Sequence, residues 1–389
     1  MKKRIYPYLV LIACALLIAV TFGFVNIQGL FFDSISADLG VGKGSVALYV
    51  TIVHIFGALF GPIGVKLRTK YSIRKILIVT GIFVVGAYSL IPSANAIWQL
   101  YICAFFMGVG QGIYGHTMVI ELINNHFEKS GTFTGVALSF SGVFGSLFSP
   151  IIVNRIVNMG WRNAYYIFAI ILTIVLLYSI IVIDNKPKQI QDLKENKNSN
   201  INTLCKETIF ISVFYLVAGS ISSLGNYMLG YSTDVGLTMS QGALLSSVMN
   251  VGNLILKLVF GFLCDAVGGF KTALISYACI SIGCLTLSFC PTSLFPIIVF
   301  ATALLGSSYA AANVVIQGLC KSLFGRENVS VYYASISTLS FISAFSSTGI
   351  GYVYDVTGSY KPSIIGLEIL FTIAIILVVI AFKGKSNKN

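Results

Sequence analysis

About a dozen apolar runs, each close to twenty residues long, follow one another along this chain with only short polar gaps between them. Twenty apolar residues in a helix span the hydrocarbon core of a bilayer, and a backbone in lipid must satisfy its own hydrogen bonds, which leaves a helix bundle as the fold. Spans are expected near 6–32, 45–65, 75–92, 97–120, 132–157 and 161–183, then near 208–232, 241–264, 271–289, 293–319, 329–353 and 361–382. The fold class is therefore an all-α, multi-pass membrane protein of twelve spans. A hydrophobic share of 56% with only 10% charged residues supports this, because so few charges could not cover a soluble protein of 389 residues.

The gap after the sixth span, from Asp184 to Lys206, is rich in Lys and Asn and nearly free of aromatics. It reads as a linker, 184–206, between a half over 1–183 and a half over 207–389. Lys2-Lys3-Arg4 before the first run is similar to a signal peptide, but no small-residue cleavage site follows, so a retained first helix is expected. Of 25 Lys and Arg, twenty fall in gaps on the side of the N-terminus; Lys43, Arg155, Arg162 and Lys361 fall on the other. That asymmetry predicts both termini in the cytoplasm of a plasma-membrane protein. The net charge of +12 lies in short gaps rather than on one face, which argues against nucleic acid as a partner. Cys14, Cys103, Cys279 and Cys284 sit inside apolar runs and no CxxC occurs, so neither disulfides nor a metal is expected. No glycine loop for a nucleotide is present, and no cofactor is expected.

The twenty-fifth base is Lys257, well inside the eighth span and about seven residues, roughly 10 Å, from its cytoplasmic end. An ammonium in hydrocarbon costs several kcal/mol. It either faces a bound anion or snorkels to the headgroups. Asn26 and Gln28 in the first span, Gln111 and Tyr114 in the fourth, Asn226 and Tyr227 in the seventh, Asn253 in the eighth, and Asn313 and Gln317 in the tenth are further polar positions. Each either lines a cavity or bonds a neighbouring helix. His54 and His116 read as neutral, hydrogen-bonded rings, and Glu368 as a side chain reaching the outer headgroups.

The two halves echo one another. Gly61-Pro-Ile-Gly-Val-Lys with Arg74-Lys75 follows the second span, and Gly261-Phe-Leu-Cys-Asp265-Ala-Val-Gly268-Gly-Phe-Lys271 follows the eighth. The second copy resembles the GxxxDxxGxxK loop of the major facilitator superfamily; the first has Val65 in place of the acid. Gly108-Val-Gly-Gln-Gly112-Ile-Tyr114, His126-Phe127 through Gly131, Gly160-Trp-Arg162 and Gly351-Tyr-Val-Tyr-Asp355-Val-Thr-Gly358-Ser-Tyr360 resemble the monocarboxylate transporters and oxalate/formate antiporters. Gly108, Gly112 and Gly115 also make a small-residue stripe that permits close packing.

That resemblance implies a secondary transporter of a small organic anion, expected to be a monocarboxylate and to act as a monomer, in which two halves rock about a central site. It implies that Lys257, four residues before Gly261, meets the substrate carboxylate. It also implies that spans 1, 4, 7 and 10 surround the pathway, and that Asp265 serves the conformational cycle by latching the eighth helix to a neighbouring helix end. Two departures stand out. The monocarboxylate group's first-span lysine falls at Asn26 and its eighth-span acid at Asn253, so its proton-coupling pair is not carried over. The oxalate group's second cation is missing from the eleventh span. A proton or a counter-anion is left as the driving partner. The rival readings are a drug/proton antiporter of the same fold, whose GxxxGPxxGG stretch Gly142–Pro150 does not fit, and a membrane sensor without transport. An enzyme would need a catalytic cluster that the sequence lacks.

Overall fold

The computed structural model describes residues 2–127, 130–183, 205–325 and 328–386. The linker predicted at 184–206 falls almost wholly outside them. Among the described residues every regular element is helical, and they group into twelve helices. Helix α1 runs through Lys2–Ile18, Ala19–Gly23, Gln28–Phe31 and Phe32–Leu39; α2 is Lys43–Lys70 and α3 is Ile73–Leu90. Helix α4 comprises Ile97–Tyr114 and His116–His126. Ser130–Val182 holds α5 and α6, which part at Gly160, where φ 80 and ψ 159 are open to glycine. Helix α7 is built from Lys206–Ser222, Ser223–Tyr227 and Met228–Asp234; α8 is Met239–Ala266 and α9 is Gly269–Phe289. Helix α10 links Phe295–Leu305, Ser307–Ala310, Ala311–Val315 and Ile316–Phe324; α11 is Val329–Ser337 with Ser340–Thr357, and α12 is Lys361–Ser386.

Ten stretches of the described residues are long and apolar enough to cross a membrane, and one of them, Gly135–Val182, covers both α5 and α6. The remaining helix, α11, is too rich in Ser, Gly and Tyr to qualify by hydropathy. Large apolar side chains stand outward, among them Ile82, Ile170, Ile181, Phe262, Phe289 and Phe300. In water such a surface would aggregate; in lipid it is solvated.

The chain forms two compact units, Met1–Val41 with Ser45–Asn200, and Gly42–Gly44 with Ile201–Asn389. In the first, α2 and α4 cross on glycine: a Cβ at Gly108 would lie 2.6 Å from the Val53 carbonyl oxygen, and one at Gly112 2.5 Å from that of Gly57. In the second, α8 and α10 cross in the same manner: a Cβ at Gly252 would lie 2.0 Å from the Ala303 carbonyl oxygen, and one at Gly306 2.4 Å from the Asn253 nitrogen. A methyl group at any of these would push two backbones apart. By contrast, a Cβ at Gly61 meets nothing within 4 Å and one at Gly261 meets only Val314 Cγ1 at 3.9 Å, so these two motif glycines are not the close-packing ones.

Each unit also fastens its first helix to its last. In the first, Asp38 at the end of α1 accepts from Trp161 Nε1 at 3.3 Å and from the Arg162 guanidinium, which also donates to the Ala94 carbonyl at 2.9 Å. In the second, Asp234 at the end of α7 accepts from Ser359 Oγ at 3.0 Å and from the Tyr360 backbone N–H at 3.2 Å. The Gly-Trp-Arg and Gly-Ser-Tyr stretches singled out in the sequence thus act as ties. Asp355 in the second unit accepts from the backbone N–H groups of Lys43 and Gly44, both at 2.9 Å.

Glu368 departs from expectation. It is only 9% exposed and packs on the side of Thr372, Ser281 and Cys284 rather than reaching headgroups. Its position on the inner face of α12, set by the rotation of that helix, is not visible from depth alone.

Candidate functional site

Among the described residues five of the twelve helices break within their length, and four of the five are those that the family resemblance places around a pathway. Helix α1 turns at Asn26 and Ile27, below a buried π-turn at Ala19–Gly23. Helix α4 breaks at Gly115, where ψ is −141. Helix α7 tightens into a 3₁₀ stretch at Ser223–Tyr227, and α10 breaks at Gly306 and widens into a π-turn at Ala311–Val315. Helix α11 also turns, at Thr338 and Leu339. Irregular backbone at membrane depth is tolerated where it is buried in protein or lines a cavity, and broken helices are a common frame for transport sites.

In the second unit, Lys257 lies on α8 nine residues before Ala266, about 13 Å along the helix. It is half-buried, and no hydrogen bond or ion pair joins it to any described residue. One turn earlier Asn253 is wholly buried, and neither its Oδ1 nor its Nδ2 has a partner. Asn250 donates Nδ2 to the Ser246 carbonyl at 2.9 Å while its Oδ1 is unpaired. Buried amide atoms without partners cost about 1–3 kcal/mol each. Asn226, in the tight stretch of α7, is half-buried with an unpaired Oδ1. Asn313 and Gln317 are exposed on α10, and each donates its amide to its own helix, to the carbonyls of Tyr309 and Asn313 at 2.7 and 2.9 Å.

In the first unit, Tyr114 and Gln111 close the first piece of α4. They line a small cavity of about 10 Å³ together with Thr21, Tyr88, Val53 and Leu172. Gln111 Oε1 and Thr21 Oγ1 are buried there without partners. Gln28 is wholly buried with both amide atoms unpaired, and Asn26 is half-buried at the turn of α1. Tyr114 and Gln111 are therefore brought together, as are Asn253 and Lys257; Gln28 is not among the residues lining the Gln111 cavity, and Asn313 stands apart with its amide engaged. His54 bonds the Val50 carbonyl at 2.9 Å, and the exposed His116 stacks on Phe22 at 3.7 Å.

At the ends of the crossing helices lie two ion pairs. Asp265 on α8 accepts from Lys321 Nζ on α10 at 2.8 Å, and Gly268 turns the chain out of α8 with φ 87 and ψ 159. Arg68 on α2 bonds Glu121 on α4 at 2.8 Å. Neither Lys321 nor the Arg68–Glu121 pair was singled out from sequence. Arg68 was visible only as one base among five between Lys66 and Lys75, yet it occupies the place that Gly268 holds two hundred residues on.

Residues 14–348 match the model of the Major Facilitator Superfamily. The chain belongs to that superfamily. It is accordingly a multi-pass membrane transporter with the twelve-helix major facilitator fold, not an enzyme. It is 21% identical to the nitrite extrusion protein of Bacillus subtilis (strain 168) over 89% of this chain and 87% of that one. It is also 21% identical to monocarboxylate transporter 12 of Mus musculus over 94% of this chain and 84% of that one. Among solved structures, the nucleoside transporter NupG superposes with a TM-score of 0.79 at 9% identity, covering 96% of this chain and all of that one. A bacterial homolog of the human lysosomal transporter Spinster gives 0.72 at 14% identity over 97% of each chain. At such identities the solved structures speak for the fold alone.

Proposed function

We propose that this major facilitator carries a small monoanion, a monocarboxylate by first choice, through alternating access, with Lys257 meeting the anionic group. The observation that carries this reading is Lys257 itself, a cation on α8 with no hydrogen bond or ion pair to any described residue. An unmatched ammonium at this depth is stabilised by an anion brought to it. Tyr114 and Gln111, and the amides Asn26, Gln28, Asn226, Asn253 and Asn313, supply hydrogen bonds to the remainder of the substrate as the cycle exposes them. Relatives named for monocarboxylates and for nitrite support a small monoanion as cargo. The drive is a proton gradient or exchange for an internal anion. The basic gaps on the side of the N-terminus support a reading with both termini in the cytoplasm of a plasma-membrane protein.

One lysine matches one negative charge. A second carboxylate beside it would be left uncompensated at several kcal/mol in a low dielectric. Proteoliposomes loaded with buffer or with unlabelled lactate, with and without a pH gradient, test this by uptake of labelled lactate, pyruvate and formate. Lactate-sized acids and nitrite are expected to compete; oxalate and malate are expected to compete at least tenfold less well, the effect of about 1.4 kcal/mol. Stronger competition by the dianions would overturn the assignment.

A further inference from the structure

Arg68 lies inside α2, and its side chain is 1% exposed. Its Nη1 donates to the Ile113 carbonyl at 3.0 Å and its Nε to Glu121 Oε2 at 2.8 Å. These two acceptors stand on opposite sides of the break in α4. Ile113 belongs to the last turn of Ile97–Tyr114, where carbonyls lose their intrahelical partners, and Glu121 to His116–His126. Gly64, one turn before Arg68, lets the guanidinium in: a Cβ there would lie 2.8 Å from Ile113 Cα and 3.3 Å from Arg68 Nη1.

We infer that Arg68 is a positioning residue, a splint whose guanidinium fork bonds both pieces of α4 and fixes the angle between them at Gly115. A residue that only paired with Glu121 would tie α2 to the second piece and leave the first free. The fork does both, because its donors are rigidly spaced in one plane. The first piece ends in Gln111 and Tyr114, which line the cavity with Thr21. The splint therefore sets where those two side chains stand relative to α1. The consequence for transport rests on the proposed role of Gln111 and Tyr114; the splint itself does not.

Three variants separate a splint from an ordinary ion pair. Arg68→Lys keeps the charge but offers a point donor that serves one acceptor. Glu121→Gln removes the charge but keeps an oxygen for the Nε–H. The double exchange, Arg68→Glu with Glu121→Arg, restores opposite charges while moving the cation onto α4 itself. Hydrogen exchange of the amides at 116–120, measured on full-length protein in detergent, reads the break directly. Exchange is expected to speed up by about tenfold or more in Arg68→Lys and in the double exchange, and to stay within about twofold in Glu121→Gln. Wild-type exchange in the double exchange, or in Arg68→Lys, would reduce Arg68 to a plain charge partner and overturn the inference. If the double exchange fails to fold, the two single variants decide the matter alone.

Labelled lactate uptake adds the functional side. Arg68→Lys is expected to raise KM by about tenfold with the maximal rate per inserted molecule within about threefold, and Glu121→Gln to leave both unchanged. A wild-type protein that does not carry lactate would count against the proposed substrate, while the exchange data would still decide the splint.

Discussion

Lys257 shows what a single residue can and cannot disclose before a fold is known. Its type and its depth follow from counting along the eighth apolar run. Its lack of a protein partner does not, because any acid or carbonyl on another helix could have met it. With none among the described residues, Lys257 has no protein counter-charge, which is what the proposed anion site requires. Lys257→Gln is expected to abolish uptake of labelled lactate, at least a hundredfold, with insertion and melting temperature little changed, because a neutral amide of similar length removes a buried cation's cost. Lys257→Arg is expected to keep part of the activity, since charge persists while a point donor becomes a fork. Wild-type uptake by Lys257→Gln would mean that the ammonium merely snorkels. Asn253 carries the opposite lesson. The sequence offers it as cavity lining beside Lys257; in this conformation the glycine crossing of α8 on α10 encloses it with both amide atoms unpaired. Contacts made by residues fifty positions away decide that, and no local pattern encodes them.

At the scale of the element, the twelve helices were readable because the length of an apolar run and the thickness of a bilayer are the same physical quantity. The breaks were less so. The family resemblance set helices 1, 4, 7 and 10 around a pathway but did not say where they would bend, and Gly115 and Gly306 are glycines among many. The loop motif shows the same division. Its glycines stand out alike in sequence, yet Gly268 and Gly61 do different work. Gly268 holds φ 87 and ψ 159, a region that side chains rarely enter. Gly61 lies within α2 with open space around it. Gly268→Ala is therefore expected to lower unfolding stability by about 1–3 kcal/mol. Gly61→Ala is expected to change it by less than about 1 kcal/mol, because the better helix propensity of alanine is opposed by the clash of its Cβ with Pro62, the next residue. Equilibrium unfolding in detergent, run on both, would contradict this reading if Gly61→Ala proved the more harmful.

Over the whole molecule, two halves repeat one plan with different chemistry. Counting two hundred residues on takes Asn26 to Asn226, Gly61 to Gly261 and Glu121 to Lys321. Both halves cross their second and fourth helices on glycine and close that crossing with an ion pair, but the signs are reversed. The base stands on α2 in the first half and on α10 in the second. The motif acid is lost at Val65 in the first half, yet Arg68 and Glu121 form an ion pair at that crossing from other positions. The two pairs also differ in wetness. Arg68 is 1% exposed and Glu121 34%, whereas the Lys321 and Asp265 side chains are 35% and 77% exposed, so only the first pair has a buried member. Water and salt screen the second pair, and such pairs contribute about 0–1 kcal/mol. Removing one partner of a buried pair leaves an uncompensated charge and costs about 3–5 kcal/mol. Glu121→Ala, which strands the buried Arg68 guanidinium, is therefore expected to destabilise the protein by more than Asp265→Asn does, and with a weaker dependence on salt, although the part-exposed Glu121 carboxylate keeps the cost below that of a fully buried pair. Asp265→Asn is expected to cost less than about 1 kcal/mol, and to cost nothing measurable at 1 M salt, where the Debye length falls to about 3 Å. Its place at the end of α8, well removed along the helix from Lys257, implies slower turnover with lactate affinity kept within about twofold, which binding measured beside uptake would register. Were Asp265→Asn as costly as Glu121→Ala, or were its cost indifferent to salt, the two clasps would be equivalent in kind, and burial would not be what separates them.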